Sequence, residues 1–236
     1  PNVKITSLPG RLLRSNARTV EALHRFTGRL LARARPEWNH RAWSNDELRR
    51  WGGLFKGDVI NVSGWHDEDK HGGRYRDYFP HGTSYTISNI GGSRGATGKP
   101  EEIFLDLTAP LAAELHARFD VVFNHTVLEH IFDIRTAVMN LCLLSRDIVI
   151  IVVPFRQQVH FDAGSFLDYW RPTPFALSSL LGESGFEVVY CTNNDNPVYS
   201  TYTFCIASSQ PQKWRDVFPR SYGVDLISGT TVPASE

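Results

Sequence analysis

Residues 119–154 read FDVVFNHTVLEHIFDIRTAVMNLCLLSRDIVIIVVP, and this stretch decides the fold. A β-rich run at 119–123 and an unbroken apolar run at 148–153 flank a segment whose apolar residues recur at helical spacing. An unbroken apolar run is typical of a strand that is covered on both sheet faces. The helical face consists of Ile131, Ile134, Ala137, Val138, Leu141 and Leu144. The stretch therefore predicts one β-α-β unit of a mostly parallel sheet.

Polar residues gather where the first strand of this unit ends, and ligands of open α/β sheets bind at the carboxyl ends of strands. His125 is the preferred candidate for a general base, because imidazole titrates near neutral pH. Glu129 and His130 can take part in acid-base chemistry or can simply begin the helix. His160, in the loop after the 148–153 strand, is a second candidate for a base or a substrate contact.

Length and composition narrow the class of protein. The 236 residues suit one α/β domain with an appendage. The odd number of cysteines, Cys142, Cys191 and Cys205, includes no CxxC pair, which favours reduced core thiols over a disulfide scaffold. The chain has no apolar run near the roughly 20 residues that span a bilayer, and no secretory signal stands at Pro1. We expect a cytoplasmic protein that is not transmembrane.

The charge is unevenly distributed although the net charge is zero. Residues 1–56 hold 12 Lys or Arg against 4 Asp or Glu, a net +8, so the rest of the chain carries −8. The basic segment can solvate a helix or dock on the acidic body of the protein. Alternatively it forms an anion-binding surface for a phosphate-bearing substrate, a protein partner or a membrane. It contains no recognisable nucleic-acid-binding module.

The pattern along the chain predicts three regions: a basic helical N-terminal extension at 1–56, an α/β domain at 57–208 and a loosely structured tail at 209–236. Helices are predicted at 19–35, after Ser44 and at 173–184, with Ser44 and Glu47 forming a capping box. Further strands are predicted at 58–62, 85–90, 103–107, 186–191 and 202–207. The last two are expected to be antiparallel, because their connection is too short for a helical crossover. Residues 91–100 are predicted to be a loop, and 111–118 can supply the crossover before residue 119.

The order of VLEHI at 127–131, VPF at 153–155, DYWRPTP at 168–174 and GFEVV at 185–189 resembles class I S-adenosylmethionine-dependent methyltransferases of the type 11 kind. The resemblance spans about 57–207. It implies a Rossmann-like, seven-stranded, mostly parallel sheet with helices on both faces and one antiparallel edge strand. It further implies methyl transfer from S-adenosylmethionine to oxygen or nitrogen of a small-molecule or glycan-type acceptor, as in polysaccharide biosynthesis.

The resemblance also implies which residues would hold the cofactor, and the glycine-rich loop of the family is degenerate here. Asn61 stands at the expected acid after the first strand, Ser63 and Trp65 stand at expected glycines, and only Gly64 remains. Asn89 replaces the acid that accepts from both ribose hydroxyls, and an amide has one accepting oxygen and no charge. Asp106 and Leu107 match the adenine contacts, although an Asp after a strand is also a common turn cap. Asn124 completes the predicted cofactor-binding set.

Two classes of function remain open from the sequence. In the first, an enzyme, Tyr169, Trp170 and Arg171 would line the substrate mouth together with Glu129 and His130, although a packed cover over the sheet explains the same residues. In the second, a non-catalytic scaffold or regulatory protein has lost cofactor binding. A remodelled pocket for another nucleotide-like ligand is a third possibility. No metal site is predicted, because no spacing supports a set such as His125, His160 and Asp162.

Overall fold

The computed structural model describes residues 39–91, 98, 100–194, 201–219, 223–225 and 230–232, together with eight isolated residues between 19 and 34. Those eight are Thr19, Val20, Ala22, Leu23, Phe26, Thr27, Leu30 and Ala34, and all are helical. The remainder of the predicted helix at 19–35 and most of the predicted loop at 91–100 lie outside the described residues.

The centre of the fold is a seven-stranded sheet in the order β3-β2-β1-β4-β5-β7-β6. The strands are β1 (Gly57–Val62), β2 (Gly82–Asn89), β3 (Glu102–Phe104), β4 (Phe119–His125), β5 (Ser145–Arg156), β6 (Glu187–Asn193) and β7 (Thr201–Ser208). β1 pairs in parallel with both β2 and β4, so the order of the strands reverses at β1. This reversal opens a crevice at the carboxyl ends of β1 and β4, where α/β sheets bind ligands.

The predicted Rossmann-like fold is confirmed, with one difference in the sheet. β7 is antiparallel to β5 and to β6, as the short connection indicated. It lies inside the sheet between these two strands, however, and β6 forms the edge. The expectation of an antiparallel edge strand was wrong, because sequence spacing shows the direction of a hairpin but not which of its strands pairs with the rest of the sheet.

Two apolar layers cover the sheet. One face packs against helices α2 (Ile134–Leu144) and α3 (Pro174–Gly182), with Val138, Leu141 and Leu177 fully buried. The other face packs against helix α1 (His40–Gly52) and an aromatic group formed by Tyr75, Tyr78, Phe79 and Phe218. Residues 148–153 of β5 are at most 2% exposed, which confirms a strand that is covered on both faces.

Helix α1 begins earlier than the predicted capping box. Asn39 is the N-cap, and its side chain accepts from the backbone N–H groups of Arg41 and Ala42. Ser44 lies one turn inside the helix, fully buried, and its hydroxyl donates to the carbonyl of Arg41. The predicted start after Ser44 was therefore wrong, because Asn39 supplies the capping oxygen earlier in the chain. This start places Arg41 and Ser44 against the sheet.

Smaller elements complete the description. The connection from β3 to β4 contains one short 3-10 helix, Ala113–Leu115, where the sequence allowed a longer crossover at 111–118. In the predicted loose tail, Trp214 and Phe218 pack against Phe55, and β8 (Gly223–Asp225) pairs with β9 (Thr230–Val232). None of the described helices has the length and apolar character required to cross a bilayer.

Two adjacent glycines test the packing of α1. A Cβ at Gly52 would overlap the carbonyl oxygen of Tyr78, whereas a Cβ at Gly53 would lie 4.0 Å from Pro80. We expect Gly52→Ala to lower the free energy of unfolding by about 1–3 kcal/mol through overpacking. Gly53→Ala should leave it unchanged or raise it by up to about 1 kcal/mol, because Gly53 has an ordinary helical φ of −68°. Urea denaturation measures both, and equal effects of the two changes would contradict this packing.

Candidate functional site

An open cavity of about 600 Å³ lies at the carboxyl ends of the strands, where the order of the sheet reverses. Its walls come from α1, from the loop after β1, from the ends of β2 and β4, and from the loop after β5. One group of lining residues contains Asn61, Ser63, Gly64, Trp65, Asn89, Asp106 and Leu107. A second group contains Arg41, Tyr75, His125, Thr126, Glu129, His130, His160 and Tyr202. Most of the predicted site residues therefore meet in one cavity.

Three residues of the loop after β1 adopt a backbone conformation that favours glycine, although none of the three is a glycine. Ser63, Trp65 and Asp67 have φ values of 58°, 47° and 63°, in the left-handed region. Positions 63 and 65 are the two at which the resemblance predicts glycine. Gly64 between them is required for another reason, because a Cβ there would lie 2.5 Å from the amide nitrogen of Asn61.

Hydrogen bonds to Asp67 hold this loop in place. Asp67 is 2% exposed, and its Oδ1 accepts from the amide of Asn61 at 2.8 Å and from the hydroxyl of Tyr85 at 2.6 Å. Its Oδ2 accepts from the backbone N–H of Arg76 at 3.1 Å. Burial raises the pKa of Tyr85, so the phenol keeps the proton that it donates. Asn61 therefore points to Asp67 and stabilises the loop.

Asn89, at the end of β2, is bound to the same loop. Its Oδ1 accepts from the backbone N–H of Trp65 at 2.8 Å, and its amide nitrogen donates to the carbonyl of Trp65 and to Glu102. Both ends of the amide are thus engaged within the protein. The indole of Trp65 is partly exposed, contacts the ring of His66 and lines the cavity.

Asp106 and Leu107, for which the resemblance predicts an adenine contact, lie on the cavity wall. Oδ1 of Asp106 accepts from the backbone N–H and the hydroxyl of Thr108, at 2.8 and 2.7 Å. Asp106 therefore caps a turn, as the alternative interpretation of an Asp after a strand predicts. It also lines the cavity. Leu107 is buried beside it at 3% exposure. Asn124, by contrast, is fully buried, donates to the carbonyl of Val62 and is not among the described residues that line the cavity.

His125 is held between two residues of α1. Its Nε2 lies 2.9 Å from the hydroxyl of Ser44, and its Nδ1 lies 3.0 Å from Nη1 of Arg41. A guanidinium only donates, so Nδ1 must accept and Nε2 must carry the proton. Burial and the charge of Arg41 lower the pKa of His125 well below its usual range. These contacts oppose the predicted role of His125 as a general base, because its lone pair is already bound.

Arg41 is a half-buried cation whose described hydrogen-bond partners are neutral. Its guanidinium donates to Tyr75, His125 and Thr126, none of which carries negative charge in these states. Among the described ion pairs, none includes Arg41. Burial raises the pKa of both Tyr75 and Tyr202, which keeps these phenols neutral. A guanidinium in such surroundings favours an anionic group from a ligand.

A second polar cluster on the cavity wall contains Glu129, His130 and His160. Glu129 is 1% exposed, and neither of its carboxylate oxygens has a hydrogen-bond partner among the described residues. Burial raises the pKa of Glu129 to about 8. Nε2 of His130 lies 3.6 Å from Oε1 of Glu129, and the rings of His130 and His160 meet edge to face, with centroids 4.9 Å apart. The cluster faces the cavity.

The DYWRPTP segment supports this cluster from outside. Asp168 accepts two hydrogen bonds from Arg171, at 2.5 and 2.6 Å, and this pairing lowers the pKa of Asp168 to about 2. Tyr169 and Trp170 are partly exposed and contact the ring of Phe132. The predicted substrate residues Tyr169, Trp170 and Arg171 are not among the described lining residues, so they lie behind or beside the cavity.

Sequence reasoning missed Arg41, Tyr75 and Tyr202, which line the cavity beside His125. Arg41 belonged to a segment that we interpreted by its net charge, and nothing in the sequence distinguished one arginine among many. The sequence signal nearest to Arg41 is the capping residue Asn39. The helix start that Asn39 sets determines which turn of α1 faces the sheet.

Solved structures of other proteins share this fold. A protein from Listeria monocytogenes, provisionally described as an S-adenosylmethionine-dependent methyltransferase, has a TM-score of 0.52 at 11% identity, covering 70% of this chain and 97% of the other. A sarcosine dimethylglycine methyltransferase, provisionally assigned, from Galdieria sulphuraria has a TM-score of 0.51 at 11% identity, covering 72% and 85%. At such identities the similarity shows the fold alone, that of class I S-adenosylmethionine-dependent methyltransferases.

The same comparison shows that the fold does not fix the reaction. The [4+2]-cyclase SpnF is similar at a TM-score of 0.50 and 10% identity, covering 69% of this chain and 80% of the other. No protein-family model matches the chain, and no curated protein matches it significantly. Function must therefore be argued from the residues of the site.

The loop backbone yields a stability prediction at Ser63. A left-handed φ costs an L-residue about 1–2 kcal/mol, and glycine avoids this cost while losing part of the gain to chain entropy. We expect Ser63→Gly to raise the free energy of unfolding by about 0.5–1 kcal/mol in urea denaturation. Ser63→Ala is the matched control, because it removes the hydroxyl but keeps the Cβ, and it should give no gain. Equal gains from both changes would refute the role of backbone strain.

The buried state of His125 yields a pH prediction. Its folded-state pKa is below the ordinary 6.5, so below about pH 6.5 the unfolded chain binds a proton that the folded protein excludes. Stability therefore falls as pH decreases. We expect the decrease between pH 6.5 and 5 to be steeper in the wild type than in His125→Asn, by up to about 1.4 kcal/mol per pH unit. His40, with its pKa lowered to about 4, is common to both proteins. Parallel curves would show that His125 titrates normally.

Proposed function

We propose that the protein is an S-adenosylmethionine-dependent methyltransferase that acts on oxygen or nitrogen of a small-molecule or glycan-type acceptor. The observation that carries the proposal is the cavity at the β1–β4 crevice, which has a half-buried guanidinium, Arg41, on its wall. Its volume of about 600 Å³ falls in the range of small-molecule sites, roughly 300–1,000 Å³. A place in polysaccharide biosynthesis is a further prediction from the resemblance, and a cytoplasmic location is a prediction from the cysteine pattern.

The residues of the cavity fit the chemical parts of the cofactor. Arg41 would bind the methionine carboxylate, because a guanidinium and a carboxylate form paired, charge-assisted hydrogen bonds. Leu107 would pack on the adenine ring, and Asp106 would accept from its amino group. The backbone at Ser63 and Gly64 lines the space between these regions. The bound cofactor would supply an electrophilic methyl group.

The remodelled loop predicts weaker binding than in a family member with the full motif. Asn61 donates to Asp67, and the amide of Asn89 is occupied by Trp65 and Glu102, so neither is free for the ribose or for the ammonium group. Each lost contact of this kind costs about 1–3 kcal/mol of affinity. Two such losses amount to about a hundredfold or more. Binding in the micromolar range is therefore expected.

The chain's contribution to the reaction is chiefly positioning. Holding an acceptor in line with an electrophile supplies most of the acceleration in such a displacement. Proton removal falls to the cluster of Glu129, His130 and His160, because His125 is bound by Arg41. His160 remains the candidate base: its backbone N–H donates to Oδ2 of Asp168 at 2.8 Å, and its Nδ1 has no hydrogen-bond partner among the described residues.

The alternative is a non-catalytic scaffold or regulatory protein that has lost the cofactor. It is favoured by Asn61 and Asn89, which serve the loop, and by the indole of Trp65 on the cavity wall. It leaves unexplained why Arg41, which is in none of the described ion pairs, and Glu129, whose buried carboxylate accepts no hydrogen bond among the described residues, should line an open cavity. A scaffold gains nothing from either.

Calorimetric titration with S-adenosylmethionine and S-adenosylhomocysteine tests the proposal. We expect micromolar binding of both, weakened about 10–100-fold in Arg41→Gln, since a charge-assisted hydrogen bond contributes about 1.5–3 kcal/mol. Asp106→Ala should weaken binding by about tenfold. The matched controls are Arg135→Gln, which breaks a surface pair with Glu183, and the exposed Asp216→Ala. Both should bind like the wild type.

Two outcomes would overturn the proposal. No heat and no thermal shift at millimolar ligand would favour the scaffold, or a different ligand. Unchanged binding in a folded Arg41→Gln protein would show that the ligand binds outside this cavity. Thermal melting of each variant without ligand distinguishes lost binding from lost folding.

A further inference from the structure

We propose that Glu129, His130 and His160 bind a divalent transition-metal ion at the wall of the cavity. Each of these residues offers one ligand atom, and the three atoms lie within 4.8 Å of one another. Two imidazoles and one carboxylate form a ligand set that suits Zn²⁺, Fe²⁺, Co²⁺ or Mn²⁺. Mg²⁺ and Ca²⁺ prefer all-oxygen sites.

The spacing of the ligand atoms fits one ion. A first-row dication binds nitrogen and oxygen at about 2.0–2.2 Å, so its ligands lie about 3–4 Å apart. Nε2 of His130 and Oε1 of Glu129 are already 3.6 Å apart. The ligand atoms of all three residues lie within 4.8 Å of one another, so side-chain rotation would bring them to coordination distance.

The carboxylate of Glu129 supplies an independent observation. It is 1% exposed, and both oxygens lack a hydrogen-bond partner among the described residues. Leaving a buried carboxyl group without partners costs several kcal/mol in general, and proteins normally pair such a group or bind a metal with it. A dication beside Glu129 would satisfy both oxygens at once.

Contacts outside the cluster leave a ring nitrogen of each imidazole available to a metal ion. Nδ1 of His130 lies 2.7 Å from the carbonyl of Leu167, so it carries the proton and leaves Nε2 free. A carbonyl partner of this kind typically orients a metal-binding histidine. The backbone N–H of His160 donates to Oδ2 of Asp168 at 2.8 Å, and Arg171 fixes Asp168 through two hydrogen bonds. Nδ1 of His160 is buried and has no hydrogen-bond partner among the described residues.

The three protein ligands would leave the remaining coordination positions open to the cavity, which Gln157 and Phe166 also line. A bound dication lowers the pKa of a coordinated hydroxyl or water and fixes the position of its oxygen. It would thereby hold an acceptor with one or two oxygen donors, such as a vicinal diol or a hydroxyl beside a carbonyl. With the ion bound, His160 is a ligand and no longer the base, and the coordinated hydroxyl, with its pKa lowered, loses its proton to water. This role rests on the proposed methyl transfer, whereas metal binding itself does not.

The experiment uses the full chain purified without a histidine tag and dialysed against a chelator. Calorimetry with Zn²⁺ and visible absorption with Co²⁺ measure binding, with Mg²⁺ as a comparison ion. We expect one ion per chain at micromolar or tighter affinity, a higher melting temperature with Zn²⁺, and no comparable effect of Mg²⁺. Glu129→Gln and His160→Asn should each weaken binding at least about 100-fold.

The matched control is His116→Asn, which removes an exposed histidine distant in sequence from the cluster and should bind like the wild type. Unchanged binding in folded Glu129→Gln and His160→Asn, or no binding to the wild type, would overturn the site. Because no S-adenosylmethionine is present, this result is independent of the cofactor titration. A metal site in a protein that fails to bind the cofactor would contradict the methyltransferase while preserving the metal inference.

Discussion

The buried carboxylate of Asp67 is the constraint on which the candidate site depends. It accepts from Asn61 on β1, from Tyr85 on β2 and from the backbone of the loop itself. These bonds hold Ser63 and Trp65 in left-handed conformations that glycines would adopt without strain. The backbone of Trp65 then engages Asn89. Hydrogen bonds thus hold the loop in a backbone conformation that glycines favour. The same bonds occupy the side chains of Asn61 and Asn89, which stand at the two positions where the resemblance predicts acids.

The end of β4 divides the cavity into two chemically different halves. His125 faces α1, where Ser44 and Arg41 bind its two nitrogens and keep it neutral. One turn further along the chain, Glu129 and His130 face the loop after β5 and meet His160. Arg41 suits an anionic group of a ligand, because its described hydrogen-bond partners are neutral. Glu129 suits a cation, because its buried carboxylate accepts no hydrogen bond among the described residues.

Much of the fold could be predicted because strong local patterns coincide with the tertiary structure. The apolar run at 148–153 is buried on both faces, and the spacing from Ile134 to Leu144 matches α2. The start of α1 was missed, because Ser44 with Glu47 resembles a cap as closely as Asn39 does. The place of β7 within the sheet depends on pairing with β5, which no local pattern encodes.

The site was predictable only in part, for a physical reason. That polar residues after β4 would line a cavity followed from the topology of parallel sheets. Which of them is free to react depends on neighbours that are distant in sequence: Arg41 lies 84 residues before His125. Asp168 and Leu167 similarly orient His160 and His130 from a later loop. Sequence identifies the residue types, whereas protonation and availability are set by contacts that only the fold creates.

The crystal structure of the protein with S-adenosylhomocysteine tests the central claim most directly. We predict ligand in the β1–β4 cavity, with its carboxylate within hydrogen-bond distance of Arg41, its adenine against Leu107 and the Asp67 contacts of the loop retained. An empty cavity at saturating ligand, or a ligand bound elsewhere with Arg41 uncontacted, would contradict the account.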